Sequence, residues 1–312
     1  METRKIQRTG GSSYAISLPK QWVENNNLQS GNSLGIMENK NGTLSVAPMD
    51  HREEKKSCEI TLSENLALTE RTLITKYLQG YDIIKIRSKT SFDPRKREKI
   101  VSLMQNLIGI EIFEEKSNKI VFSSLIEFGS TPLEKVTSRM LTLTGSMLKD
   151  TVTLNENLNE SLAKNIIQRD NEVDKLYFFA LREISEASRN TNVAKALEIS
   201  DNFELIPNII AIRNIERIAD YAEVMAEEMT SLEKPSKKIQ KKGKKTLEMF
   251  RKTVRAFIRK DHTLANDLLE EIEMSSSKEG VESVVLSSIV SSMDAVQRHC
   301  SNIAECVINL KV

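Results

Sequence analysis

Hydrophobic and polar positions change their period twice along the chain. Over 1–48 they fall in short runs that alternate in part: RKIQR and YAISL on either side of Gly10-Gly11, then GIMEN and TLSV on either side of Asn41-Gly42. An Asn-Gly pair between two strand-like runs is a strong hairpin signal, because both turn positions ask for positive φ. Pro19 ends the second strand, and KQWVENNN has room for one or two helical turns, with Trp22 expected as a core anchor. A segment of about fifty residues built this way buries too little surface to stand alone. The pattern therefore predicts an intertwined dimer.

Beyond the charged stretch HREEKK, the runs CEITL, YDIIKIRS, IEIFEE and KIVFSS read as strands. ENLALTERTLITKYLQG and DPRKREKIVSLMQNLIG read as helices, with Asp93-Pro94 as a start and Gly80 and Gly109 as stops. Residues 51–128 thus predict a small α/β unit in the order βαβαββ. From Thr131-Pro132 onward the period is helical. Helices are expected near 132–155, 158–189, 192–231, 236–260, 262–274 and 279–310, with Pro207 kinking or splitting the third. The basic stretch KPSKKIQKKGKK (234–245) reads as a turn-prone linker between three helices and three. IERIADYAEVMAEE (215–228) aligns with MDAVQRHCSNIAEC (293–306), matching Ala-Glu at 226–227 and 304–305. A duplicated three-helix bundle follows.

Composition narrows the function. The 312 residues exceed one domain of roughly 100–150 residues. A net charge of +1 means that any contact with nucleic acid must come from a local patch. Cys58 stands alone, Cys300 and Cys306 do not share a helical face, and METRKIQRTGG has no apolar stretch for export. An odd cysteine count then indicates a reducing compartment, and no apolar run approaches the ~20 residues of a membrane span. A cytoplasmic protein is expected. His51, His262 and His299 are scattered without zinc spacing, and no phosphate-binding loop, nucleophile elbow or dinucleotide fingerprint occurs. An enzyme is not expected.

The acidic helices carry the chemistry. Asp170 falls in an apolar stripe of Ala163, Ile166, Ile167, Val173, Tyr177 and Ile184, with Asp174 beside it. On the next long helix Glu216, Asp220, Glu223 and Glu227 recur at i, i+4, i+7 and i+11, next to Ile212, Ile215, Ala219, Ala222 and Ala226. A carboxylate on a buried stripe is costly unless paired or bound to a cation. Two such helices face to face make an oxygen-rich site for a hard or borderline cation. The plainer alternative is a solvated or salt-bridged face with Arg213, Arg217 and Arg169 as partners.

IERIADYAEVMAEE resembles the L-E-R-I-G-D-H-A-x-N-I-A-E signature of PhoU-type phosphate regulators, and the resemblance extends over about 131–312. It implies an E/D-x-x-x-D motif on two helices of each bundle, binding metal clusters, iron in particular. Asp170 and Asp174 match one motif, Glu216 and Asp220 the other. The expected cofactor is iron or another divalent metal at the first bundle, which purified protein can lack. The second bundle departs from the pattern: Asp294 is followed by Arg298, and Glu271 by Ser275. Its metal site is expected to be lost, with Arg298 neutralising Asp294, binding an anion or lying plainly on the surface.

The front segment resembles AbrB/MazE-type swapped-hairpin domains: a basic first strand, a Gly-Ser turn, a strand ending in L-P-K, a short helix, L-x-x-G-N and two closing strands. The resemblance implies an obligate dimer, with DNA binding or an antitoxin role. Arg4, Lys5, Arg8 and Lys20 are the candidate DNA contacts, read otherwise as solvated charge on half-exposed strands. Five basic against three acidic residues over 1–48 is a weak excess, so affinity must depend on assembly. Residues 51–128 look like the middle segment of archaeal proteins joining the same two modules. The expected organisation is a swapped-hairpin β-barrel domain at 1–50, an α/β domain at 51–130, and all-α bundles at 131–233 and 234–312. The expected function is DNA-binding regulation of phosphate uptake by a homodimer or higher homo-oligomer, with a phosphate-transporter ATPase or another regulator as partner. The alternative is an adaptor that acts through protein contacts alone.

Overall fold

The computed structural model describes residues 2–38, 42–48, 55–274 and 283–310. The chain forms two compact units, Met1–Lys55 and Lys56–Val312. In the front unit β1 (Gln7–Thr9) and β2 (Ser13–Ala15) pair antiparallel. The turn between them includes Gly10 at φ +72°, a conformation glycine adopts freely. After α1 (Lys20–Asn25), β3 (Leu34–Glu38) and β4 (Leu44–Pro48) form a second antiparallel hairpin with Ile36 opposite Val46. The hairpins are separate two-stranded sheets, so the described strands of one chain close no barrel. No described residue of this unit is buried. Ile6, Tyr14, Ile16, Ile36 and Leu44 are exposed, and Trp22, expected in a core, is only half-buried.

The second unit begins with the expected βαβαββ order: β5 (Ser57–Thr61), α2 (Leu66–Leu78), β6 (Ile83–Arg87), α3 (Pro94–Gln105), β7 (Ile110–Lys116) and β8 (Lys119–Ser124). The sheet runs β5-β6-β8-β7, with β5 and β6 parallel and the other pairs antiparallel. The parallel pair needs a crossover, which α2 supplies. Asp93 caps α3 by accepting from the backbone N–H groups of Arg95 and Lys96 at 3.0 Å, and Pro94 takes a first-turn position that needs no donor. Leu73, Tyr77, Ile84, Ile100 and Phe122 are fully buried between helices and sheet.

The rest is helical: α4 (Leu133–Asn157), α5 (Glu160–Ala187), α6 (Thr191–Ala196), α7 (Leu205–Met229), α8 (Lys237–Arg259), α9 (His262–Met274) and α10 (Val284–Asn309). Helices α4, α5 and α7 pack together, as do α8, α9 and α10. The two bundles meet along α7–α10 and α4–α8 and share one apolar core. Two local expectations change. The third helix breaks at 197–204, before Pro207, which sits in the first turn of α7 where its missing N–H costs nothing. The basic stretch 234–245 is a linker only up to Ser236. That residue caps α8, and the following lysines are helical because Ile239, Gly243 and Leu247 supply a buried stripe.

Two buried charges on α5 tie the helical part to the α/β part. Arg182, 3% exposed, donates through Nη1 to the carbonyls of Tyr77 (2.7 Å) and Tyr81 (3.0 Å), and its Nη2 stands 3.5 Å from Asp82. Its guanidinium also lies over the rings of Tyr77 and Phe128, 4.8 and 4.6 Å from their centroids. Glu183, also buried, accepts from the backbone N–H of Gly129 at 2.7 Å. Gly129 holds φ +74°, and a Cβ there would come within 2.7 Å of the Ala196 Cβ. Gly129→Ala is therefore expected to lower stability by about 2 kcal/mol, from the left-handed backbone and the clash together. Urea denaturation checks this; an unchanged midpoint would mean that the 129 backbone relaxes freely.

Candidate functional site

Helix α5 starts at Asn159, whose side chain accepts from the N–H groups of Ser161 and Leu162, and runs unbroken past Tyr177. Residues four apart project from one side, so Asp170 and Asp174 sit together beside buried Ala163, Ile166 and Val173. Helix α7 presents Glu216 and Asp220 in the same way. Asp170, Asp174 and Asp220 each offer a carboxylate oxygen within 4.8 Å of the other two. Among the described residues no other group of His, Cys, Asp and Glu is gathered this closely.

Glu216 is buried beside this triangle. Its Oε1 accepts from Arg213 Nη1 at 3.1 Å, and the same Nη1 donates to the Tyr177 hydroxyl at 3.0 Å. Arg217 Nη1 donates to Asp220 Oδ2 at 2.7 Å. Arg169, the third expected counter-charge, turns away and pairs with Asp150 of α4 at 2.5 Å. Half-buried Glu223, the third member of the acidic row expected on this helix, adds a further carboxylate. Two guanidinium groups thus face five acidic side chains.

Burial sets the electrostatics, and the imbalance adds to it. Burial pushes the Asp170 carboxyl up to about 8, and the nearby charges of Asp174, Glu223, Asp220 and Glu216 push the same way. Burial, then Asp220, raises Glu216 to about 7 against the pull of Arg213 and Arg217. Asp174 rises to about 6 through burial and Asp220. Asp170 Oδ1 and Glu216 Oε2 are buried without a hydrogen-bond partner. Near neutral pH such a group holds protons or a cation. The all-oxygen donor set with unsatisfied buried oxygens fits a hard or borderline divalent ion.

The corresponding places in the second bundle are neutralised. Asp294 pairs with Lys242 at 2.5 Å and Glu271 with Lys252 at 2.6 Å, both lysines coming from α8. Lys242, not Arg298, therefore neutralises Asp294, and Arg298 is exposed. Ser275 lies outside the described residues. On the α7–α10 seam, Asn214 Oδ1 stands 2.7 Å from His299 Nδ1 and accepts from Asn302 Nδ2 at 2.9 Å.

In the front unit Arg4, Lys5, Arg8 and Lys20 are all exposed. Arg4 pairs with Glu2, and Arg8 Nη2 donates to the Gly11 carbonyl at 3.1 Å. Lys20 opens α1 with its Nζ 3.6 Å from Glu24. No helix of the described chain is long and apolar enough to cross a membrane.

A paired helical bundle with acidic motifs on facing helices and a separate hairpin unit with exposed basic side chains make a protein of two modules. Residues 137–229 match the PhoU domain family model, and residues 7–54 match the model described as antidote-toxin recognition MazE, bacterial antitoxin. The chain carries a PhoU domain in its C-terminal region and a MazE/AbrB-type domain at its N-terminus. The phosphate-specific transport system accessory protein PhoU homolog 1 of Thermotoga maritima is 26% identical over 205 residues, 58% of this chain and 86% of that protein. A crystal structure of PhoU from Pseudomonas aeruginosa aligns with 56% of this chain and 93% of its own, at 22% identity and a TM-score of 0.45. The Thermotoga relative is described as an accessory protein of phosphate-specific transport.

Proposed function

We propose that the protein is a DNA-binding transcriptional regulator of phosphate uptake, cytoplasmic and at least dimeric, whose helical part senses or relays phosphate status. The observation that supports it most is the front unit. It matches a MazE-type model, buries no described side chain, and exposes five large apolar residues as well as Arg4, Lys5, Arg8 and Lys20. Such a unit gains a core only from a second copy, and pairing doubles its basic surface. Asp170, Asp174 and Asp220, with Glu216 beside them, would hold iron or another divalent ion. When bound, that ion supplies the positive charge that the crowded carboxylates lack. The relative named as accessory to phosphate-specific transport suggests a transporter ATPase or another regulator as the partner of the helical part.

Fluorescence anisotropy with promoter fragments of phosphate-transport genes tests this reading. Affinity is expected to fall with salt at a log–log slope of about −0.9 per phosphate contact. Arg4→Ala, Arg8→Ala and Lys20→Ala are each expected to weaken binding about three- to tenfold while the dimer persists, since phosphate contacts position the protein without building its core. No DNA affinity at low salt would leave the adaptor reading, in which the front unit only dimerises.

A further inference from the structure

Helix α8 carries seven lysines and three arginines against one glutamate, in a chain whose net charge is only +1. Lys242 and Lys252 are used inside the second bundle, on Asp294 and Glu271. Lys237, Lys241, Lys244, Arg251 and Arg255 remain as one exposed row at i, i+4, i+7, i+14 and i+18. Within that row the described structure shows one ion pair, Arg255 with Glu248 at 3.6 Å between two exposed groups. Like charges three and four residues apart repel, so the row costs the isolated helix a little stability.

The row borders a groove between α4 and α8 of about 550 Å³. Leu141, Gly145, Phe250 and Val254 form its floor, and Arg251 and Arg255 stand at its rim, with Glu248, the one acidic side chain of the lining, beside Arg255. Gly145 keeps it open: a Cβ there would come within 3.0 Å of Phe250 Cε1. On the α4 side, exposed Arg139 and Lys149 lie within a turn of Thr142 and Gly145 and add to the positive border.

We infer that the α4–α8 groove docks an amphipathic helical segment of a protein partner, apolar along the strip that enters and acidic on its flanks. Charge complementarity selects acidic flanks, and the apolar floor selects a strip of Leu-like side chains. A duplex or another polyanion would use the charge row and leave the floor empty. A lipid surface asks for apolar side chains standing out from the helix, whereas this row projects charge. The inference rests on reading the helical part as a partner-binding module and is independent of any DNA contact by the front unit.

The test uses full-length protein and a fluorescein-labelled synthetic peptide with Leu at i, i+4, i+7 and i+11 and Glu elsewhere. Saturable binding that weakens with salt is expected. Arg251→Glu combined with Arg255→Glu is expected to lower affinity about tenfold or more, and Thr142→Trp, which fills the groove from an exposed position, to a similar extent. Polyglutamate of equal charge is expected to bind about tenfold more weakly and to ignore Thr142→Trp. All three sites are exposed, and circular dichroism should show an intact fold. The inference fails if wild type does not bind the peptide, if polyglutamate binds as well, or if Thr142→Trp has no effect. Promoter affinity of the Arg251/Arg255 variant, measured in parallel, should be unchanged; its loss would make the row a DNA contact and overturn the protein-partner assignment. Failure of the front-unit variants in the DNA assay would leave the peptide result standing.

Discussion

Arg182→Ala is expected to loosen the α/β part from the helical part and to cost about 3–5 kcal/mol, the usual consequence of breaking a buried charge network. The carbonyls of Tyr77 and Tyr81 would lose a charged donor, Asp82 its nearest guanidinium, and the rings of Tyr77 and Phe128 the flat cation between them. Arg182→Lys keeps the charge but lacks the planar fork that reaches two carbonyls and stacks on both rings, so it should recover only part of the loss. Arg182→Met should recover packing and leave the Tyr81 carbonyl without its donor, while Tyr77 keeps only the backbone N–H of Gly80 at 3.0 Å. Urea unfolding followed by circular dichroism is the measurement. A lower midpoint, or a second transition as the two parts melt separately, is expected; a shift under about 1 kcal/mol would show that the junction holds by apolar contact alone.

The second large effect concerns the acidic cluster. Asp170, Glu216 and Asp174 have folded-state values of about 8, 7 and 6, all above the ordinary carboxyl range near 4. Between those limits the folded state binds more protons than the unfolded one, so stability decreases as pH rises. The contribution is complete below about pH 4 and disappears as pH climbs through 6, 7 and 8. In chelator, the melting temperature is expected to fall by about 3 °C or more between pH 5.5 and 8.5. A divalent cation such as Mn²⁺ should restore it at pH 8.5 and do little at pH 5.5, where protons already occupy the oxygens. Asp170→Asn should flatten the slope, and Asp174→Asn with Asp220→Asn should remove the cation effect. A chelator-treated wild type whose melting temperature ignores both pH and Mn²⁺ would show that Arg213 and Arg217 balance the cluster unaided.

The order of elements was legible because local chemistry marks it. Asp93-Pro94, Gly80 and Gly109 bound the α/β elements where the sequence places them, and the 3.6-residue period of α5 and α7 places Asp170 and Glu216 among buried neighbours. The third helix is split, one of the two outcomes expected at Pro207, but the break lies upstream at 197–204 because proline suits the first turn of the helix that follows. The lysines of α8 fell under two overlapping readings, a helix near 236–260 and a linker at 234–245, and the buried stripe of Ile239, Gly243 and Leu247 decides for the helix. Ion-pair partners were the least legible. Asp294 meets Lys242 and Arg169 meets Asp150 through the packing of α8 on α10 and α5 on α4, which spacing along one helix does not encode. Arg182 gave no signal at all, since its partners lie about a hundred residues away in sequence.

The ion pairs of Lys242 and Lys252 give the duplicated bundle an inbuilt standard. A lysine is a cation fastened by a covalent stem: no chelator removes it, and no change in metal supply dilutes it. The second half therefore carries its counter-charges within the chain, while the first half, with two guanidinium groups against five carboxyl groups, changes its protonation with the pH around it. The halves share a core along α7–α10 and α4–α8, so a fixed body and a variable one are fused along their length.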